Sequence, residues 1–206
     1  MRNITDLTRQ VRTLALSLLI LAAAPVHAQQ WEVYGLGGYS RTSSFQDSYY
    51  GHSWTGENWG SYGGGAGVRL VNILGLAGEF VQERGSDGFS SGDRSVYTGS
   101  SVNAKVEARS GRVRPYALAG VGGGTLGIRY SVKYQPGMIG DPGKIDHTYG
   151  VWSVQFGGGV AVGLSRHLFL RPQIRYQNRH ELSFMGSSNR KLPSPVSLCI
   201  AMGYRF

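Results

Sequence analysis

Residues 195–206, PVSLCIAMGYRF, alternate with a period of two: Val196, Leu198, Ile200, Met202, Tyr204 and Phe206 fall on one side of an extended chain. Ser197, Cys199, Ala201, Gly203 and Arg205 fall on the other, as in a strand with one apolar face. The pattern recurs upstream. It predicts strands over 31–40, 59–71, 73–84, 96–109, 115–131, 150–164, 168–181 and 195–206, eight in all. Leu74, Leu76 and Phe80 oppose Ala77, Glu79, Val81 and Glu83, and Val102, Ala104, Val106 and Ala108 oppose Asn103, Lys105, Glu107 and Arg109. In 115–131, Tyr116, Leu118, Leu126, Ile128 and Tyr130 read as the apolar face, against Ala117, Ala119, Thr125 and Arg129. The glycines of WEVYGLGGYS leave the facing of the first strand open. Pro172 lacks the N–H a ladder needs, so a bulge or a missing hydrogen bond is expected there.

The connections alternate in length. Polar, glycine-containing loops at 41–58, 85–95, 132–149 and 182–193 alternate with tight turns near Asn72, Ser110–Arg112 and Ser165–His167. Long loops on one side and short turns on the other, with an even strand count, predict an all-β fold: an eight-stranded antiparallel up-and-down transmembrane β-barrel, its apolar face in lipid. Trp31, Tyr116, Tyr204 and Phe206 then lie at the short-turn side, and Tyr39, Trp59, Tyr130, Trp152 and Tyr176 at the loop side, as two interfacial girdles.

The first residues change the picture of the compartment. Arg2, Arg9 and Arg12 precede a short apolar run, Leu14–Ala24, and Val26-His27-Ala28 offers a cleavage site. A bilayer core needs about 20 apolar residues for a helix. The run therefore reads as a cleavable signal peptide over 1–28, with the barrel domain at 29–206. Its loss lowers the formal charge from +9 to +7, because it carries three arginines and Asp6. An exported basic chain whose cations alternate with apolar residues is not expected to meet nucleic acid. Its expected partners are outer-membrane lipid and lipopolysaccharide, and an unknown extracellular partner at the loops. Cys199 is the sole cysteine, so no intrachain disulfide can form.

The polar faces set the candidate chemistry. Glu79, Glu83, Glu107, Arg69, Lys105, Arg109, Arg129, Arg171, Arg175 and Arg205 are assigned to the lumen. Side chains can fill an eight-stranded barrel, and buried charges need partners. A structural ion-pair network is expected, with Glu79–Lys105 as its first pair; a narrow pore, the alternative, would prefer anions. The string 122–127 matches G-x-G-x-x-G, but a strand follows it where a nucleotide loop needs a helix. His180 and Ser183 lie an odd number of residues apart, on opposite faces of a regular strand. His52, His147 and His167 show no metal-ligand spacing. No catalytic residue, metal or cofactor is expected.

The first strand, the segment RPYALAGVGGG, the pair FGGGVAVGLSRHLFLRPQIRY and the closing AMGYRF resemble the small eight-stranded outer-membrane barrels of the OmpA transmembrane-domain and OmpX type, the outer membrane protein beta-barrel domain family. That resemblance covers 31–206 and implies a structural, envelope-integrity or surface-interaction role. It also implies recognition of the last strand, through Tyr204 and Phe206, by the barrel-assembly machinery. The lipid A deacylase PagL shares the shape; where its family has a His-x-Ser pair, this chain has His-Glu-Leu-Ser at 180–183.

Overall fold

The computed structural model describes residues 30–43, 45–47, 52–54, 58–71, 73–86, 94–108, 111–131, 144–182 and 191–206. Among these residues ten strands form: β1 (Gln30–Thr42), β2 (Phe45–Asp47), β3 (His52–Trp54), β4 (Asn58–Val71), β5 (Leu74–Ser86), β6 (Arg94–Glu107), β7 (Val113–Ser131), β8 (Lys144–Gly163), β9 (Leu168–Glu181) and β10 (Pro195–Arg205). Eight of them close a barrel in the order β1-β10-β9-β8-β7-β6-β5-β4, while β2 and β3 pair as a separate two-stranded sheet. Every pairing is antiparallel, from Tyr34↔Gly203 at the β1–β10 seam round to Tyr34↔Gly65 against β4. Closure leaves no unpaired sheet edge within the wall.

The wall is apolar outside and polar inside. Leu198, Met202, Val121, Ile174 and Phe80 are 53–65% exposed. Glu32, Glu79, Glu83, Lys105, Glu107, Arg171, Arg175 and Arg179 are buried. Water could not be the solvent of such a surface, whereas a bilayer needs it. The short connections near residues 72–73, 108–112 and 164–167 share one rim with Gln30 and Phe206, the periplasmic rim for this architecture. Gly111 takes φ 74° in the second of these turns, a left-handed conformation glycine adopts without strain.

The structure corrects three expectations here and bears out a fourth. The loop at 41–58 contains the β2–β3 hairpin. Residues 144–149 extend β8, in register with β7 through Ser131↔Lys144, so this hairpin continues past Val151↔Glu181, the last β8–β9 pair. Strand β7 faces the other way: Tyr116, Leu118, Leu126 and Ile128 are buried in the lumen, while Ala117, Ala119, Val121 and Arg129 are exposed outside. The cause is volume. Beyond Val151, facing β8 offers the lumen Ser153, Gln155, Gly157, Gly159 and Ala161, mostly small, so bulky neighbours must fill the space. Finally, Pro172 causes no bulge. The β8–β9 ladder skips from Gly159↔Gln173 to Val162↔Leu170 in unchanged register, and Pro172 still opposes Ile200 of β10. The expected gap is present and the register survives it.

Candidate functional site

Alternation along each strand delivers large polar side chains to a narrow space, and glycines across the ladder make room for them. Trp59 opposes Gly85, where a Cβ would come within 2.3 Å of the indole. Gly203 lies between Tyr34 and Phe169, and a Cβ there would meet both. Aromatic rings lying over cross-strand glycines stabilise this arrangement. At these positions glycine is what lets the large lumen side chains fit.

Three layers fill the interior. At the periplasmic end, Glu32 meets Lys105 Nζ at 2.6 Å, Arg171 Nη2 at 2.8 Å and Arg205 Nη2 at 3.5 Å. Beside it, Glu107 lies 2.8 Å from Arg69, 3.3 Å from Lys105, 3.1 Å from Arg114 and 3.7 Å from Arg205. The Arg171 guanidinium also packs over the rings of Phe169, Tyr34 and Tyr116, at 4.6, 5.2 and 5.3 Å. In the middle layer, Glu79 accepts hydrogen bonds from Arg175, from the Tyr34 hydroxyl at 2.5 Å and from Asn103 at 3.0 Å. Gln155 donates to Asn103, and the Tyr116 hydroxyl donates to Gln173 at 2.6 Å.

The outer layer is an apolar cap around one ion pair. Trp59, Tyr97, Leu126, Ile128, Val151 and Leu192 form a cluster, and the fully buried Arg179 pairs with Glu83 beneath it. The Arg179 guanidinium sits 3.6 Å above the Tyr97 ring centroid, a cation–π contact in a desolvated place. Leu192 reaches the cap because its N–H donates to the Arg179 carbonyl, while Ser194 and Ser43 bond to each other. Between cap and middle layer lies a cavity of about 30 Å³ edged by Ser61, Ser101, Gln177, Ser197 and Cys199, room for about two waters.

The expected lumen residues Glu79, Glu83, Lys105, Glu107, Arg171, Arg175 and Arg205 line this interior, with Arg69. Arg129 does not, because β7 is turned over, and Arg109 lies outside the described residues. The Glu79–Lys105 pair does not form. Glu79 opposes Ser101, which leaves Lys105 about 13 Å further along β6 at a strand's rise, so each charge finds a nearer partner across the lumen. Glu32, Arg114 and Arg179 escaped the sequence reading. Trp31 at the lipid interface places Glu32 inward by alternation, and Arg179 shares the parity of Arg171 and Arg175, so the signal for both was present.

Among the girdle residues, Trp31, Tyr39, Tyr176 and Tyr204 are 40–50% exposed on the outer wall, and Trp152 stacks on His180 there at 4.7 Å. Tyr204 stacks on His167 and meets Phe206 edge-on. Trp59 and Tyr116 are corrections: both point inward, 2% and 6% exposed, Trp59 because it shares the parity of Arg69. The side chain of Tyr130 lies outside the described residues. Tyr62, unassigned in sequence, joins the outer girdle at 46% exposure.

A closed eight-stranded wall with lipid-facing apolar side chains and a charged interior now has a counterpart in sequence. The family described as outer membrane protein beta-barrel domain matches residues 13–206. The chain belongs to this family. It is a bacterial outer-membrane β-barrel protein. Among solved structures, it is similar to Neisserial surface protein A of Neisseria (16% identity, TM-score 0.59, 85% of this chain and 97% of that one). It is similar also to a major outer membrane protein from Thermus thermophilus (13% identity, TM-score 0.54, 87% and 100%). A third is the N-terminal β-barrel domain of Pseudomonas aeruginosa OprF (15% identity, TM-score 0.50, 86% and 97%). At these identities the likeness is one of fold. No curated protein matches the chain by sequence.

Proposed function

We propose that the protein is a non-enzymatic outer-membrane barrel acting through its external surface, in surface interaction or envelope integrity, with its lumen serving as a structural plug. The observation that carries this reading is the filled interior: three layers of side chains occupy the lumen, and the cavity between cap and middle layer holds only about 30 Å³. With passage obstructed, the elements free to engage a partner are those beyond the outer rim, foremost the extended β7–β8 hairpin and the β2–β3 hairpin. Lipid and lipopolysaccharide around the wall, and assembly machinery reading Tyr204 and Phe206, belong to the same proposal. The exposed Phe206 ring beside Tyr204 supports the latter.

A lipid A hydrolase would need a base, a hydroxyl and an orienting acid together. His180 instead stacks on Trp152 at the outer wall, and Glu181, its strand neighbour, points to the opposite face.

The test shortens the two external hairpins, replacing residues 44–57 and 131–144 by two-residue turns, and measures adhesion of expressing cells to host-surface components. Loss of adhesion with intact heat-modifiable migration is expected. Adhesion at the level of the full-length chain would reject the surface reading.

A further inference from the structure

The periplasmic end of the lumen is out of electrical balance. Among the described residues, five cations, Arg69, Lys105, Arg114, Arg171 and Arg205, converge there on two glutamates, Glu32 and Glu107. The outer layers are matched one to one, Arg175 with Glu79 and Arg179 with Glu83. The surplus is therefore local. Three donors there, Arg114 Nε, Arg171 Nε and Arg205 Nη2, are buried without a hydrogen bond among the described residues, against one such acceptor, Glu107 Oε2; the outer layers leave one donor each, Arg175 Nε and Arg179 Nη1. Arg114 Nε and Arg205 Nη2 do lie within ion-pair distance of a carboxylate, but without hydrogen-bond geometry. Guanidiniums crowded in a low-dielectric space repel one another unless an anion joins them.

The end is also reachable. The side chains of Arg69, Arg114 and Arg205 are 21%, 13% and 11% exposed, while Lys105 and Arg171 sit behind them. An incoming ligand would meet three arginines first. We propose that this mouth is a binding site for a phosphate group, held by Arg69, Arg114 and Arg205. A tetrahedral oxyanion matches several guanidinium forks at once, which a spherical halide cannot. The phosphate comes either from a soluble periplasmic ester or from the headgroup of an anionic inner-leaflet phospholipid; the chemistry at the site is the same. The site goes beyond the proposed surface role and does not depend on it.

The experiment uses the mature protein in nanodiscs of phosphatidylcholine, titrated with inorganic phosphate against chloride at matched ionic strength, with unfolding temperature and phosphorus NMR line width as readouts. A saturable, phosphate-specific rise in unfolding temperature is expected, as for any ligand of the folded state. The apparent affinity should fall at least about tenfold in Arg114→Gln/Arg205→Gln, with Arg114→Gln alone intermediate and Arg84→Gln, on the outer wall, unchanged. Discs containing phosphatidylglycerol separate the sources. A headgroup occupant raises the unfolding temperature by itself and erases the response to free phosphate, whereas a soluble occupant leaves that response equal in both disc types. Equal effects of phosphate and chloride with no effect of phosphatidylglycerol would overturn the site, as would a full response in the double variant.

Discussion

Glu32 shows how much one side chain can hold. It is 5% exposed and within 3.5 Å of three cations on three different strands. Glu32→Gln removes their common counter-charge, and breaking a buried ion pair from one side costs about 3–5 kcal/mol. Equilibrium urea unfolding in lipid vesicles should register a loss of that size, far more than for an exposed carboxylate. Gly85 makes the complementary point about space. A methyl group there would meet the Trp59 indole at 2.3 Å, so Gly85→Ala is expected to destabilise by about 1–3 kcal/mol, as overpacking does. In a Trp59→Gly background, itself destabilised by the emptied cap, the added cost of Gly85→Ala should shrink, a coupling that a double-mutant cycle would read. At this scale the sequence was half legible. Alternation assigned Lys105, Glu107, Arg171 and Arg175 to the interior, but it could not say which charge meets which. Partners lie across the lumen, on strands far apart in the chain.

Strand β7 marks the limit of reading faces from hydrophobicity. Leucine and isoleucine were expected in lipid, yet Leu118, Leu126 and Ile128 fill the lumen and alanines face outward. A barrel's interior needs volume as well as polarity, and where neighbouring strands supply glycine and serine the bulk must come from somewhere else. The facing is open to test. Val121, 63% exposed between Val102 and Val154, lies within the apolar band. Val121→Arg should therefore cost about 2–4 kcal/mol in vesicle unfolding, the penalty for arginine at the bilayer midplane. A cost below about 1 kcal/mol would restore the opposite facing. The gap opposite Pro172 was, by contrast, fully legible, because a missing N–H is a covalent fact that no packing can alter. The extension of β8 back to Lys144 was not, since Pro142-Gly143 and the polar residues after it read as loop until the pairing with β7 is seen.

For the whole molecule, the eight-strand count, the alternating connections and the closing strand were all visible in the pattern of side chains, because lipid imposes the same rule on every span. What that pattern cannot carry is whether the interior conducts. The three filled layers predict that purified protein gives no conductance steps in planar bilayers. Trp59→Ala with Leu192→Ala should still give none, because the middle and periplasmic layers remain in place. Discrete openings in the unsubstituted protein would refute the plug. The contact of Glu32 with Arg171 and Arg205 has a further consequence for closure. The acid belongs to the first strand, and two of its three cations belong to the last two. Its buried charge is therefore fully compensated only when the β1–β10 seam is shut, so these ion pairs latch the beginning of the wall to its end.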